Sequence, residues 1–156
     1  FLGHLEDAFL VRVVSLATDS ERRRMVNPRK VYPIDPGLIP VFDRSGKSNL
    51  GHALETCVLI ELDRRGAEVG YVRTPGGSEV DFLARYPAGG EELIQVCASL
   101  DDPATREREL RALAEAAAIH PRASRSLIAL DMPVAPDVPQ GTLLHRAADW
   151  MLNAEN

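Results

Sequence analysis

The chain has 156 residues, of which 45% are hydrophobic and 26% are charged. This length and composition fit one domain of ordinary size and exclude a disordered chain, a collagen-like fibre and a small disulfide scaffold. No run of 18 apolar residues occurs, so we expect no transmembrane helix and a cytoplasmic protein. The net charge of −5 weighs against a protein that binds free nucleic acid strongly.

The first residue, the cysteines and the histidines of the chain give further expectations. The chain begins at Phe1 rather than at methionine, and we therefore expect it to be a piece of a longer protein. Cys57 and Cys97 lie far apart in apolar surroundings, which favours two reduced, buried thiols over a disulfide. The four histidines show no zinc-binding spacing with these cysteines.

The first 48 residues are predicted to form an N-terminal helix and a connecting segment. Apolar residues at helical spacing predict an amphipathic helix over Leu2 to Ala17, followed by a polar connection that contains Arg22, Arg23 and Arg24. This helix carries more apolar residues than one core-facing stripe needs. We expect the surplus to contact an upstream domain or to cause self-association. A short extended stretch, Val31 to Ile34, precedes a turn.

Residues 49–156 are predicted to form the core domain, with Asn49 as the N-cap of its first helix. After that helix, the predicted elements are three extended segments, a helix capped by Asp102, a strand, a proline-rich loop, a short strand and a terminal helix. The three extended segments are Glu68 to Thr74, Ser78 to Tyr86 and Leu93 to Ser99, and the strand after the second helix is Ser126 to Leu130. The second helix is predicted to bury Leu110, Leu113, Ala114 and Ala117 and to end at His120. The αβββαβ order indicates an α/β fold with a mixed central sheet flanked by helices.

Side-chain alternation indicates which polar residues meet. Asp81 shares one strand face with Glu79, and Gln95 shares one face of the next strand with Cys97. Glu55 lies on the apolar stripe of the first core helix, where a charge must be paired, hydrogen-bonded or metal-bound. We therefore expect Asp81, Gln95 and Cys97 to lie together, facing Glu55, with the Asp81 and Gln95 side chains within about 8 Å.

This pattern resembles the PD-(D/E)XK nuclease fold, which has Glu on the first helix, Asp on the second strand and a polar pair on the third. The chain also resembles a domain-of-unknown-function family found C-terminal to AAA+-type P-loop ATPases of bacteria and archaea. The residues that carry this second resemblance are Lys30-Val31-Tyr32-x-Ile34-Asp35-x-Gly37-Leu38, Leu54-Glu55, Arg73-Thr74, Gly77-x-Glu79-Val80-Asp81-Phe82, Ile94-Gln95-Val96-Cys97 and Thr105-Arg106-Glu107-Arg108-Glu109.

The resemblance implies a site in which acidic residues hold Mg²⁺ and a lysine helps to activate the attacking water. Glu55 and Asp81 match the first two acidic positions, Gln95 stands at the third, and Cys97 stands at the lysine position. The glutamine removes a negative charge, and the thiol supplies no ammonium group. The chain has only two lysines, and neither is predicted to take that place.

The first functional hypothesis is therefore a catalytically degenerate nuclease-like domain that follows an upstream ATPase domain, lacks a cofactor of its own and docks to protein or nucleic acid. The second is an active Mg²⁺-dependent DNA or RNA endonuclease with a non-standard third ligand. The third is a redox-sensitive switch through Cys97.

Simpler interpretations stay open for each residue. Glu55 is alternatively paired with Arg73 or Arg85, and Asp81 with Glu79 alternatively forms a solvated strand face. Cys97 is alternatively a small buried hydrophobe, because no local base activates it. The arginine run 22–24 is a solvated loop or a weak phosphate contact that physiological salt abolishes.

Overall fold

A computed structural model of the chain describes residues 1–42, 50–132 and 138–152. It contains a two-stranded sheet near the N-terminus and a five-stranded sheet with helices on both faces. Asn49, Lys47 and most of the proline-rich loop lie outside the described residues. None of the described helices combines the length and apolar character needed to cross a membrane.

The N-terminal section differs from the single helix predicted over Leu2 to Ala17. Its elements, in chain order, are α1 (Leu2–Asp7), β1 (Val11–Val14), α2 (Glu21–Val26), β2 (Lys30–Pro33), a 3₁₀ turn (Pro36–Leu38) and α3 (Ile39–Phe42). The prediction was wrong because the chain leaves the helix before Phe9, whose φ is 54°, and then enters a valine-rich strand. β-branched valines favour extended backbone, and β1 pairs with β2 in antiparallel fashion.

The arginine run lies on a helix and not in an irregular connection, so that prediction was also wrong. The Ser20 hydroxyl caps α2 by accepting a hydrogen bond from the Arg23 N–H at 3.3 Å. Arg24 donates to Glu21 at 3.0 Å, while Arg22 and Arg23 are exposed on the same helix.

Only part of the apolar surplus predicted over Leu2 to Ala17 is exposed. Phe9 is 81% exposed and Leu10 is 49% exposed, whereas Val14 is buried. Outside the predicted set, Phe1 and, on α2, Met25 and Val26 are also largely exposed. The section therefore presents apolar side chains to its surroundings although it is not one helix.

The core elements follow the predicted αβββαβ order and continue with a strand and a helix. They are α4 (Leu50–Arg64), β3 (Glu68–Arg73), β4 (Glu79–Arg85), β5 (Glu91–Ser99), α5 (Pro103–Ile119), β6 (Ser124–Asp131), β7 (Thr142–Arg146) and α6 (Ala147–Leu152). The strand order is β3-β4-β5-β6-β7, with antiparallel pairing up to β5 and parallel pairing beyond it. The predicted α/β fold with a mixed central sheet flanked by helices is confirmed.

Two apolar cores lie on opposite faces of this sheet. The first joins α4 and α6 to residues such as Phe82 and Ile94. The second joins α5 to residues such as Leu83 and Leu93. Every large side chain that is fully buried here removes apolar area from water, at about 25 cal/mol per Å². The sheet is thus held from both sides, which fixes the positions of the polar residues between its strands.

The buried stripe of α5 is rotated relative to the predicted one. Leu113 is buried as predicted, but the other buried positions are Glu109, Ala112 and Ala116. Leu110 and Ala117 are only partly buried, and Ala114 is exposed. The apolar residues alone do not predict this buried face of α5, because one of its positions is occupied by a glutamate. As predicted, the Asp102 carboxylate caps this helix and His120 ends it.

The N-terminal section lies directly against the core sheet at Gly70 of β3. Ala17 donates from its N–H to the Tyr71 carbonyl at 2.8 Å. A Cβ added at Gly70 would lie 3.0 Å from the Ala17 Cβ and 3.1 Å from its Cα. Only glycine leaves room for this backbone contact.

We expect Gly70→Ala to lower the free energy of unfolding by about 1–3 kcal/mol, because the added methyl overpacks a backbone contact. Gly3→Ala is the matched control, because a Cβ at Gly3 meets nothing within 4 Å. Urea unfolding followed by circular dichroism measures both variants. An equal, small effect of the two substitutions would contradict the close approach.

Candidate functional site

The candidate site lies where β4 and β5 separate. Their antiparallel ladder ends at the pair Phe82 and Ile94, although β5 continues to Ser99. Beyond that pair, the Asp81 carboxylate reaches between the strands, and its Oδ2 accepts the Val96 N–H at 3.0 Å. Asp81 is only 7% exposed, so a buried carboxylate stands at the point of divergence.

A lysine from the N-terminal section neutralises this carboxylate. The Lys30 Nζ donates to Asp81 Oδ1 at 3.0 Å and lies 2.8 Å from Glu79 Oε1. It also lies 5.7 Å from the centre of the Tyr71 ring, at the distance of a cation–π contact. The two carboxylates raise the pKa of Lys30 against the opposing effect of burial. The ammonium group therefore stays charged among the acidic residues.

Glu55 of α4 is held by a tyrosine from β2, the strand that also carries Lys30. The Tyr32 hydroxyl donates to Glu55 Oε2 at 3.0 Å, and the Tyr32 ring stacks on His52 with centroids 5.2 Å apart. Burial, followed by the negative charge of Asp81, raises the pKa of Glu55 to about 7. Burial also raises the pKa of Asp81, while Lys30 opposes that shift. Two carboxylates near each other in a low-dielectric site favour at least one proton between them.

Gln95 extends the polar network from Asp81 to α5. Its Oε1 accepts the Asp81 N–H at 3.3 Å, and its Nε2 donates to Glu109 Oε2 at 2.7 Å. Glu109 Oε1 in turn accepts from the Arg108 Nη2 at 2.5 Å. The glutamate is thus buried with both of its oxygens partnered, as a buried charge requires.

Cys97 is a buried thiol. It is 7% exposed and belongs to the apolar core beneath α5, and its Sγ donates to the Ser99 carbonyl at 2.8 Å. Burial, followed by the charge of Glu109, raises the pKa of Cys97 to about 11. A neutral thiol is neither a nucleophile nor a metal ligand. Neither Cys97 nor the half-buried Cys57 forms a disulfide.

The four predicted site residues line one open cavity of about 730 Å³. They are Glu55, Asp81, Gln95 and Cys97. The side chain of Gln95 reaches the Asp81 backbone, so the predicted proximity of these two residues is confirmed. Glu79, Glu109 and Arg108 also line this cavity.

Two of the simpler interpretations are wrong. Glu55 pairs with neither Arg73 nor Arg85 in the structure, because Tyr32 holds Glu55 and Arg85 pairs with Glu91 at 2.7 Å. Asp81 is not on a solvated strand face, since it is buried, whereas its neighbour Glu79 is exposed and ion-paired.

Three residues of the site are not among those that the sequence predicts there. Lys30 is one, and β2 brings this lysine to Asp81. The other two are Tyr32, the partner of Glu55, and Glu109, the partner of Gln95. The alternation Lys30-Val31-Tyr32 places both of these β2 side chains on one face, which is a signal that could have joined them to the site. No local pattern predicts the burial of Glu109.

These residues do not fit a divalent metal in the arrangement described. Lys30 and the Val96 N–H occupy the two Asp81 oxygens, and the Gln95 oxygen accepts from the Asp81 N–H. Mg²⁺ requires oxygen ligands free to surround it in near-octahedral geometry. Among the described residues, no group of three or more His, Cys, Asp and Glu side chains is arranged to hold a metal ion.

Removal of the lysine charge should destabilise the fold. We expect Lys30→Met to lower the free energy of unfolding by about 3 kcal/mol, because Asp81 is then buried without its counterion. The double variant Lys30→Met/Asp81→Asn should recover part of this loss. Arg64→Met is the control, since the Arg64 side chain is 57% exposed and Glu61 keeps Arg65 as its other partner, so the loss should be less than about 1 kcal/mol. Additive effects of the two site substitutions in urea unfolding would contradict the coupling.

The raised pKa of Glu55 predicts a pH-dependent stability. The folded carboxyl binds its proton more tightly than the unfolded one, so its contribution to stability falls as pH rises from about 4.5 through about 7. Glu55→Gln keeps an acceptor for Tyr32 and should raise the free energy of unfolding at pH 8, by on the order of 1–3 kcal/mol, with little effect at pH 4. Glu107→Gln on the exposed surface of α5 is the control. A constant difference between wild type and Glu55→Gln from pH 4 to pH 8 would refute the shift.

Comparison with known proteins shows similarity to a longer archaeal protein. This chain is 34% identical over 120 residues to an uncharacterized protein of Methanocaldococcus jannaschii. The similarity covers 74% of this chain and 25% of the relative, so the chain spans about a quarter of that protein's length. No family model matches the chain, and no solved structure matches it.

Proposed function

We propose that this chain is a nuclease-like domain without metal-dependent cleavage activity, which serves for docking inside a longer polypeptide. The observation that carries the proposal is the position of the Lys30 ammonium, 3.0 Å from Asp81 and 2.8 Å from Glu79. The positive charge of Lys30 thus lies among the carboxylates that would otherwise be available to a metal ion.

The charge balance of the site supports this proposal. Lys30 neutralises the buried Asp81, and the Glu55 carboxyl, with its pKa raised to about 7, is partly protonated at neutral pH. Gln95 adds no charge at the third position. A divalent ion would have to displace the ammonium and break the hydrogen bond between Gln95 and the Asp81 N–H. Affinity for a hard cation falls as ligand charge is lost, so the expected affinity is low.

Two observations support docking as the role. The chain is similar to about a quarter of a longer archaeal protein. Its N-terminal section exposes Phe1, Phe9 and Met25. Several large exposed apolar side chains in one section of a chain favour contact with another protein surface. The proposal places an upstream AAA+-type ATPase domain against this section, and that identity rests on the resemblance of the sequence motifs.

A second candidate is an active Mg²⁺-dependent DNA or RNA endonuclease. Lys30 favours it, because this lysine reaches the acidic residues from β2 and thus supplies the ammonium that Cys97 does not. In that case Glu55 and Asp81 would be the metal ligands, and Lys30 would help to activate water. The site would then have to rearrange to free the Asp81 oxygens.

Titration calorimetry with MgCl₂ tests the proposal. We expect no saturable binding to the wild type up to about 10 mM, because the ligand set lacks a charge and contains an ammonium group. Gln95→Glu should strengthen Mg²⁺ binding, whereas the same change at the exposed Gln140 should not. In parallel, plasmid DNA and single-stranded RNA are incubated with Mg²⁺ or Mn²⁺, and no cleavage is expected.

The endonuclease alternative predicts the opposite results. Micromolar Mg²⁺ affinity of the wild type, with cleavage that Lys30→Met and Lys30→Arg both abolish while circular dichroism stays native, would establish it and end the proposal. Arginine keeps the positive charge but does not give up its proton at working pH, so Lys30→Arg separates charge neutralisation from proton transfer.

A further inference from the structure

A second cavity, of about 760 Å³, lies outside the acidic site. Three separate segments each bring an exposed arginine to it: α2 supplies Arg23, the end of β3 supplies Arg73, and the turn between α5 and β6 supplies Arg122. These residues are distant in sequence, so only the fold brings them to one cavity.

The positive charge of this cavity is only partly balanced from within the protein, because Glu91 acts on Arg122 and His120 as well as on Arg85. Its lining contains four arginines and two carboxylates. One arginine, Arg85, pairs with Glu91 at 2.7 Å. Across the described residues, no carboxylate forms an ion pair with Arg23, Arg73 or Arg122. Asp19 is the one other acidic residue of the described lining. The four arginines outnumber the two carboxylates of the lining, so the cavity carries a net positive charge that attracts an anion.

We propose that this cavity binds a compact polyphosphate anion, such as the phosphate chain of a nucleoside triphosphate. Guanidinium groups donate two parallel hydrogen bonds to phosphate oxygens, and three of them around one cavity match an anion with several phosphate groups. His120, which also lines the cavity, adds a further donor.

The charge of the rest of the chain favours a compact anion over a nucleic acid strand. The whole chain carries −5 although this cavity is positive. A long polyanion would meet that negative surface beyond the cavity, and its affinity would depend on how many phosphates are neutralised. On α2, Arg24 is already paired with Glu21, and Arg22 lies outside the cavity. Only Arg23 of the run 22–24 therefore serves the site.

This inference does not depend on the proposed function. Glu55, Asp81, Gln95 and Lys30 do not line the arginine cavity. Failure of one proposal therefore leaves the other unaffected, and Mg²⁺ is omitted from the experiment that follows.

Titration calorimetry of the 156-residue chain with inorganic tripolyphosphate tests the site, at low salt and with EDTA. We expect one saturable site per chain. Arg23→Gln and Arg122→Gln should each weaken binding about tenfold, because each removes charge-assisted hydrogen bonds. Arg22→Gln, an exposed arginine on the same helix but outside the cavity, should leave the affinity unchanged. Circular dichroism checks that each variant is folded, which is expected because none of these side chains has an ion-pair partner among the described residues.

Three outcomes would overturn the inference. The first is no saturable heat from the wild type at low salt. The second is an equal loss of affinity in Arg22→Gln and Arg23→Gln, which would mean diffuse surface attraction. The third comes from a parallel titration with an oligothymidine of about ten nucleotides: tighter binding than tripolyphosphate, lost in Arg23→Gln, would assign the cavity to a nucleic acid backbone. ATP and ADP in the same format show whether a nucleoside attached to the phosphates is accepted.

Discussion

The ion pair between Lys30 and Asp81 determines how the candidate site is arranged. Asp81 stands where β4 and β5 separate, with one oxygen on the Val96 N–H and the other on the lysine. Without the ammonium group, a carboxylate that is 7% exposed would lack a counterion. The pair also joins two parts of the chain that are about fifty residues apart, so the geometry of the site and the position of the N-terminal section depend on each other.

Other contacts hold the N-terminal section in the same place. Arg12 of β1 donates two hydrogen bonds to Asp63 of α4, at 2.6 and 2.9 Å. The Tyr71 hydroxyl of β3 donates to the Pro28 carbonyl at 2.7 Å. Tyr32 connects the section to Glu55. Residues that the sequence assigns to a connecting segment, Lys30 and Tyr32, thus bind two of the carboxylates that line the acidic cavity.

The two cavities of the chain differ in how their charges are balanced. In the acidic cavity, Lys30, Tyr32, Gln95 and backbone N–H groups partner the carboxylates, which leaves little for a metal ion to coordinate. In the arginine cavity, most of the guanidinium groups lack an acidic partner among the described residues. The acidic groups of the first cavity are thus satisfied within the chain, whereas the arginines of the second keep donors that the proposed anion would bind.

The sequence by itself determined the strands of the core, the Asp102 cap and the clustering of Glu55, Asp81, Gln95 and Cys97, because strand alternation and helical spacing are local properties of the chain. It did not determine the end of α1, where valines that suit a helical stripe pair instead with β2. Nor did it determine the partners of the site residues. Lys30 reaches Asp81, Glu109 is buried against Gln95, and Arg23 lines one cavity with Arg73 and Arg122 only because the fold brings these distant segments together. Only the tertiary structure decided these pairings, because ion pairs and hydrogen bonds between distant segments depend on where the packing of two apolar cores places those segments and not on their spacing in the sequence.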